Sequence, residues 1–266
     1  MTELSLKYKN LVNYLKNLEN AGVAFSSGVD STYLLKVAHD VLGDSVTAFT
    51  AKSALFTKRE LEEAEAFCKK EGIRHVIVDM DIDLIRDNPT NRCYICKRNM
   101  FEQFLKTAKI SNIQILLEGS NVDDEKDYRP GMMAIGELGI KSPLKLAGLS
   151  KNEVRILSKE AGLKTFDKPS FACLASRVAY GEKISEEKLN RIQNAEQFLF
   201  DLGFTQFRVR LHGELARIEV LPVDFGNLVS HREDIISKLK GLGFKYISMD
   251  LEGYRTGSMN EAFNLK

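Results

Sequence analysis

No charge of one sign dominates this chain. Lysine and arginine number 38 against 37 aspartate and glutamate, a formal net charge of +1. That disfavours a protein that lives on nucleic acid and leaves open only a local basic patch. No apolar run approaches membrane-spanning length, so no transmembrane helix and no membrane partner are expected. The opening Met1-Thr2-Glu3-Leu4-Ser5-Leu6-Lys7 lacks the basic-then-apolar order of a signal peptide, and a cytoplasmic location is the expectation. Four cysteines in 266 residues do not make a disulfide framework; in a reducing compartment, clustered cysteines read as ligands or nucleophiles. Internal repeats and low-complexity tracts are absent too. What is present is 44% hydrophobic content, enough for the cores of one large domain or two modest ones.

The chain is organised around Val23-Ala24-Phe25-Ser26-Ser27-Gly28-Val29-Asp30-Ser31. An apolar strand runs into small hydroxyl residues, a glycine and an aspartate, and then into a helix. Gly28 can take backbone angles closed to other residues, and a helix opening near Ser31 offers unbonded N–H groups and the positive end of its dipole to a phosphate. The hydroxyls of Ser26, Ser27 and Ser31 add donors. Asp30 repels phosphate, so its expected role is to hold a divalent cation, magnesium, that bridges phosphate oxygens. The spacing lacks the Gly-Lys-Ser/Thr ending of a Walker loop and the glycine fingerprint of dinucleotide folds. It resembles the PP-loop, Ser-Gly-Gly-x-Asp-Ser, of ATP pyrophosphatases, which cleave ATP between the α and β phosphates; Ser27 stands where that motif has a glycine. The alternative without function is an ordinary strand-to-helix turn.

Around this loop the periodicity predicts an opening helix over 4–18, and a helix after the loop carrying Leu34, Val37, Ala38 and Val41 and ending at Gly43. A strand over 45–51, a charged helix over 57–71 and a strand over 75–78 follow. Cys68 falls on the apolar stripe of the charged helix and reads as a buried, inert thiol. Strands alternating with helices imply an α/β fold, a parallel sheet covered on both sides with ligands beyond the carboxyl ends of its strands. Residues 47–52 and 116–121 are expected to reach the same crevice, with Ala48, Phe49, Lys52, Gly119 and Asn121 framing an adenine and ribose.

Between those segments, a proline and capping residues precede Cys93-Tyr94-Ile95-Cys96-Lys97. A helix starting here puts both sulfurs and Lys97 on one face near its positive end, which favours thiolates; a structural cysteine pair is the alternative. The polar loop over 123–131 closes on Tyr128-Arg129-Pro130-Gly131, and Arg129 is counted with the ATP-binding set. Ser150-Lys151-Asn152-Glu153 is a capping box opening a helix to residue 160. Residues 168–177 form a loop containing Cys173, and the expected boundary divides residues 1–168 from 169–266. Beyond it, a helix over 185–202 turns Leu189, Ile192, Ala195 and Leu199 inward, with Glu196 at the packing edge. Strands over 206–211 and 215–221, a helical stretch with Ile235, Ile236 and Leu239, and a strand over 246–251 make a smaller C-terminal α+β domain. Arg208 and Arg210 project from one sheet face. Two adjacent guanidiniums repel unless an anion joins them, so a phosphate site is the functional reading and solvated strand charges the other.

An α–β cleaving ATP site serves to activate an oxygen. A carboxylate or amide oxygen attacks the α phosphate, pyrophosphate leaves, and the adenylate meets a nucleophile. The cysteines argue that this nucleophile is sulfur. Cys93, Cys96 and Cys173 are expected to converge over the loop, and three thiolates with one open position suit a 4Fe-4S cluster.

Five stretches together are more specific than any one alone: the Ser26 to Ser31 loop, Asp127-Tyr128-Arg129-Pro130-Gly131, Ala172-Cys173 leading to Ser176-Arg177, Arg208-Val209-Arg210 followed by Ala216-Arg217-Ile218-Glu219, and Gly253-Tyr254-Arg255-Thr256-Gly257-Ser258-Met259-Asn260. The set resembles the LarE family, the PP-loop sulfur transferases that build the nickel-pincer nucleotide, from the opening helix to those last residues. The resemblance implies a PP-loop ATP pyrophosphatase domain, adenine nucleotide α hydrolase-like, with ATP and magnesium as cofactors. The implied substrate is pyridinium-3,5-biscarboxylic acid mononucleotide, whose carboxylates are adenylated, with release of AMP and pyrophosphate, and converted to thiocarboxylates. It further implies that Arg208 and Arg210 hold the substrate phosphate, that Lys97 neutralises phosphate charge, that Asp30 works with magnesium, and that Cys173 is catalytic.

The family has two sulfur sources. In the sacrificial form, the cysteine matching Cys173 attacks the adenylate and gives up its sulfur, leaving dehydroalanine. In the cluster form, three cysteines hold a 4Fe-4S centre that carries a hydrosulfide. This chain has Cys93, Cys96 and Cys173, so the cluster form is expected. A sulfide source, a downstream nickel-inserting enzyme and a homo-oligomer, a hexamer, complete what the resemblance implies. A PP-loop tRNA thiolase, which also uses a cysteine pair plus a third, and a nucleotide-binding sensor whose cluster does no chemistry stay open as other readings.

Overall fold

The computed structural model describes residues 2–125, 130–169, 172–255, 258 and 259. They fall into two units, one made of Met1–Ser53, Lys58–Met80 and Asn91–Ser170 and the other of Ala54–Thr57, Asp81–Thr90 and Phe171–Lys266.

The first unit opens with helix α1 (Glu3–Lys16), capped by the Thr2 hydroxyl, which accepts the Ser5 N–H at 3.2 Å. Strand β1 (Ala21–Ala24) leads through the serine loop into α2 (Val29–Leu42), β2 (Val46–Lys52), α3 (Lys58–Glu71) and β3 (Arg74–Asp79). Helix α4 (Arg92–Ile110), the short strand β4 (Leu116–Leu117), α5 (Pro130–Glu137), α6 (Pro143–Leu146) and α7 (Lys151–Glu160) complete it. The four strands are parallel, in the order β3-β2-β1-β4. The fold is therefore α/β, with apolar layers on both faces of the sheet. Leu34, Leu35, Val37 and Leu144 pack with Val23 and Ala48 on one side, while Phe101, Phe104 and Ile135 pack with Phe49 and Leu116 on the other. From β1 the chain steps outward to β2 and β3, whereas β4 lies on the opposite flank. Their carboxyl ends enclose the crevice that open α/β sheets use for ligands.

The capping box of α7 is formed. The Ser150 hydroxyl accepts the Glu153 N–H at 3.3 Å, and the Glu153 carboxylate accepts the Ser150 N–H at 2.8 Å. Among the described residues, no helix is long and apolar enough to cross a membrane.

In the second unit, α8 (Glu186–Asp201) starts at Ser185 and buries Leu189, Ile192, Ala195 and Leu199. Strands β5 (Phe207–His212) and β6 (Leu215–Val220) form an antiparallel hairpin in which Arg208 faces Glu219 and Arg210 faces Arg217. Gly213 closes its turn at φ +57, a conformation open to glycine. Helices α9 (Phe225–Ser230) and α10 (Arg232–Gly241) lead to β7 (Tyr246–Met249), which pairs in parallel with β6. The expected packing-edge position of Glu196 is corrected by its 4% exposure. A carboxylate can be buried on this apolar stripe because Arg177 meets it there.

Candidate functional site

The serine loop bridges β1 and α2 at the carboxyl edge of the first unit's sheet. Phe25 still pairs with the sheet, its N–H donating to the Phe49 carbonyl at 2.8 Å. The left-handed turn then falls on Ser27, at φ +52, whereas Gly28 is the extended N-cap of α2, at φ −79. This corrects the expectation that Gly28 supplies the unusual backbone angles. Ser27 adopts a conformation that costs a residue with a Cβ roughly 1–2 kcal/mol. Its surroundings hold it there. It is buried, its hydroxyl donates to the Glu60 carbonyl at 3.1 Å, and its own carbonyl accepts the Lys168 ammonium at 2.9 Å. The Ser27 hydroxyl thus points at α3. Ser26 and Ser31 close the inner side of the loop, their hydroxyls 3.1 Å apart, and Ser31 Oγ donates to the Gly28 carbonyl at 3.3 Å. Among the described residues no side chain caps α2, which leaves its first N–H groups as donors at the helix start.

The loop after β4 comes directly against this helix start. A Cβ on Gly119 would stand 2.9 Å from the Ser31 backbone nitrogen, so only glycine allows the approach. Two residues on, Asn121 Nδ2 donates to Asp30 Oδ1 at 3.2 Å. The other Asp30 oxygen accepts the Lys151 ammonium. Ser26, Ser27, Gly28, Asp30, Ser31, Gly119 and Asn121 are therefore brought together. Ala48 and Phe49 are fully buried in the core and turn no side-chain surface toward an adenine. Lys52 is largely exposed and pairs with Asp79 at 3.4 Å across β2 and β3. Arg129 lies outside the described residues.

The cysteine pair lies in the first two turns of α4, with Cys93 exposed and Cys96 half-buried. Lys97 continues that face, and its side chain packs closely over Gly131, where an added Cβ would stand 2.7 Å from Cδ. Cys173 belongs to the second unit. It precedes a 3₁₀ turn, Leu174–Arg177, and its carbonyl accepts the Ser176 N–H at 3.0 Å and Arg177 Nη1 at 3.1 Å. All four cysteines are thiols, and Cys93, Cys96 and Cys173 keep access to solvent, as reactive thiolates do. Yet among the described residues no group of three or more His, Cys, Asp or Glu side chains is placed to hold a metal ion. The donor types suit an iron-sulfur cluster. Cys68 is 1% exposed on α3, and burial pushes its thiol up to about 12.

The second unit holds a buried cluster of arginines. Arg208 is 3% and Arg210 5% exposed, which corrects the reading of solvated strand charges. Arg210 Nη2 donates to Glu219 at 2.8 Å and to Ser258 Oγ at 3.1 Å, while its Nε has no hydrogen-bond partner among the described residues. Arg208 lies over the Tyr254 ring, 5.0 Å from its centroid. Burial first, and then the neighbouring Arg177 and Arg210 cations, pull the Arg208 guanidinium down to about 10. An incoming anion would relieve that crowding. The partners Arg177, Glu196, Glu219, Tyr254 and Ser258 escape a reading of strand alternation, because ion pairs across elements leave no local period. Their stretches carry the family resemblance, but of the pairings themselves the Arg208 to Glu219 hairpin register is a local signal.

No family model matches the chain. It is 41% identical over 262 residues to an uncharacterized protein of Synechocystis, covering 97% of this chain and 98% of that protein. It is 36% identical over 265 residues to the pyridinium-3,5-bisthiocarboxylic acid mononucleotide synthase of Lactiplantibacillus plantarum, covering 98% of this chain and 96% of the synthase. A glutamine-hydrolysing GMP synthase component of Methanocaldococcus jannaschii is 30% identical over 194 residues, which is 65% of this chain and 60% of that protein. With a parallel sheet, a serine loop at its carboxyl edge and a likeness to the synthase that runs nearly end to end, the chain belongs to the LarE family.

Proposed function

We propose that this protein is an ATP-dependent sulfur transferase that adenylates the carboxylates of pyridinium-3,5-biscarboxylic acid mononucleotide and converts them to thiocarboxylates. The full-length likeness to the L. plantarum synthase carries the reading, and the serine loop at the crevice supports it. The triphosphate lies against the first turn of α2, where uncapped N–H groups and the helix dipole favour anions. A substrate carboxylate oxygen attacks the α phosphorus, the bond to the β phosphate breaks, and pyrophosphate leaves. Sulfur then adds to the acyl carbon and AMP departs with the former carboxylate oxygen. Asp30 would hold magnesium, Lys97 would offset phosphate charge, and Arg208 with Arg210 would grip the substrate phosphate. Residues 1–168 act as the ATP-using domain and residues 169–266 as the substrate-binding and oligomerisation domain. The partners implied are a sulfide source, a nickel-inserting enzyme and further copies of this chain.

Cys93, Cys96 and Cys173 would hold a 4Fe-4S cluster, which when bound supplies the transferred sulfur. A second reading rests on Cys173 alone, half-buried ahead of the Leu174–Arg177 turn. In it the Cys173 thiolate attacks the adenylate, AMP leaves, and the thioester's bond from sulfur to Cβ breaks as a proton is lost from Cα, leaving dehydroalanine. The test is anaerobic incubation of the purified protein with ATP and the pyridinium nucleotide. AMP and pyrophosphate are expected, and ADP as product would end the proposal. Iron and acid-labile sulfide that disappear in Cys93→Ala support the cluster; an iron-poor, active protein with Cys173 turned to dehydroalanine supports the sacrificial route.

A further inference from the structure

The serine loop contains hydroxyls, N–H groups and one carboxylate, but no cation, although a triphosphate is multiply anionic. Two lysines from outside the motif reach it. Lys168 donates to the Ser27 carbonyl, and its ammonium is also bound by Glu63, with the side chain 15% exposed. Lys151 is placed differently. Its ammonium is bound to Asp30 itself, the carboxylate read as the magnesium ligand, and the two side chains are 30% and 20% exposed. The backbone around Lys151 is fixed independently of that ammonium. The capping box sets the start of α7, the Lys151 N–H donates to Asp123 Oδ2 at 2.8 Å, and Arg155 one turn later binds the carbonyls of Phe166 and Lys168 at 2.6 and 2.9 Å.

A divalent cation arriving at Asp30 would share that carboxylate with an ammonium of like charge. The ammonium has to move, and the acceptors arriving with the cation are phosphate oxygens. We propose that Lys151 is a phosphate-binding residue, held by Asp30 in the nucleotide-free protein and transferred to the β and γ phosphates when the magnesium nucleotide takes over that carboxylate. The inference rests on the ATP-site reading and adds a residue to it. Lys151 then favours pyrophosphate as the leaving group, because it offsets charge on the departing half of the nucleotide.

The experiment is calorimetric titration of wild type and Lys151→Met with magnesium ATP, magnesium pyrophosphate and AMP. Loss of one charge-assisted hydrogen bond is expected to weaken ATP and pyrophosphate about 10- to 100-fold. AMP, which lacks the β and γ phosphates, is expected to change less than about 3-fold, and Lys151→Arg to restore most of the ATP affinity. Equal weakening of AMP and ATP, or unchanged ATP affinity in the variant, overturns the assignment. Wild type that binds no ATP at all overturns the ATP-site reading with it, so the two failures are told apart. Should Lys151→Met not fold, Lys151→Gln provides the same comparison, since it keeps a donor for Asp30 without the charge.

Discussion

Taking away one half of the Arg177–Glu196 pair is expected to harm the second unit far more than replacing both halves. Arg177 Nε and Nη2 donate to the two Glu196 oxygens at 2.9 and 3.0 Å, a bidentate arrangement, and the residues are 1% and 4% exposed. Glu196 Oε1 also accepts the Val209 N–H at 3.0 Å. Glu196→Ala therefore strips a guanidinium of its carboxylate where water cannot compensate, at a cost of about 3–5 kcal/mol. The double replacement Arg177→Met with Glu196→Leu restores an apolar filling of similar volume. It loses the Val209 bond and the arginine's bonds to the Ala172 and Cys173 carbonyls, for a net cost of about 1–2 kcal/mol. Urea unfolding followed by circular dichroism measures both variants. A single Glu196→Ala variant within about 1 kcal/mol of wild type would refute the reasoning, because it would mean that solvent reaches the pair.

Ser27 offers a second test. Ser27→Ala keeps the left-handed strain and loses the bond to Glu60, whereas Ser27→Gly loses the same bond and sheds the strain, which is offset in part by glycine's larger unfolded-state entropy. The glycine variant is expected to be the more stable by about 0.5–1 kcal/mol in thermal unfolding, and the reverse order would exclude this backbone path. His75 provides a pH dependence. Burial lowers its pKa, and its ring nitrogen lies 2.7 Å from Thr50 Oγ1. A depressed folded value means that the unfolded chain binds more protons, so this contribution to stability is full above about pH 6.5 and is lost as pH falls toward the folded value. His75→Gln is expected to flatten that acid-side slope, and an unchanged slope would remove His75 as its source.

The loop, the strands flanking it and the α7 cap were legible because each is written in adjacent residues: an apolar run broken by serines, or a serine three positions before a glutamate. Helix α5 was hidden, since its Pro130-Gly131 opening has the composition of a turn. The lysines that reach the loop were hidden for another reason. Lys151 and Lys168 sit 121 and 141 residues from Asp30 and Ser27, and no period connects partners so far apart. Glu196 followed the apolar spacing of α8 into the interior, where a rule sorting charges to the surface fails once Arg177 is beside it. Phe49 sits in the middle of β2, where its side chain belongs to a layer of aromatic residues, with Phe104 at 5.8 Å between ring centroids.

Cys68 carries a consequence for every experiment on the other three sulfurs. Sealed inside α3 with its proton held to about 12, it stays silent toward alkylating reagents and iron while the first unit is closed. Labelling at that position therefore times the opening of the sheet and its helices, and a protein that reacts with only three equivalents certifies that its interior survived preparation.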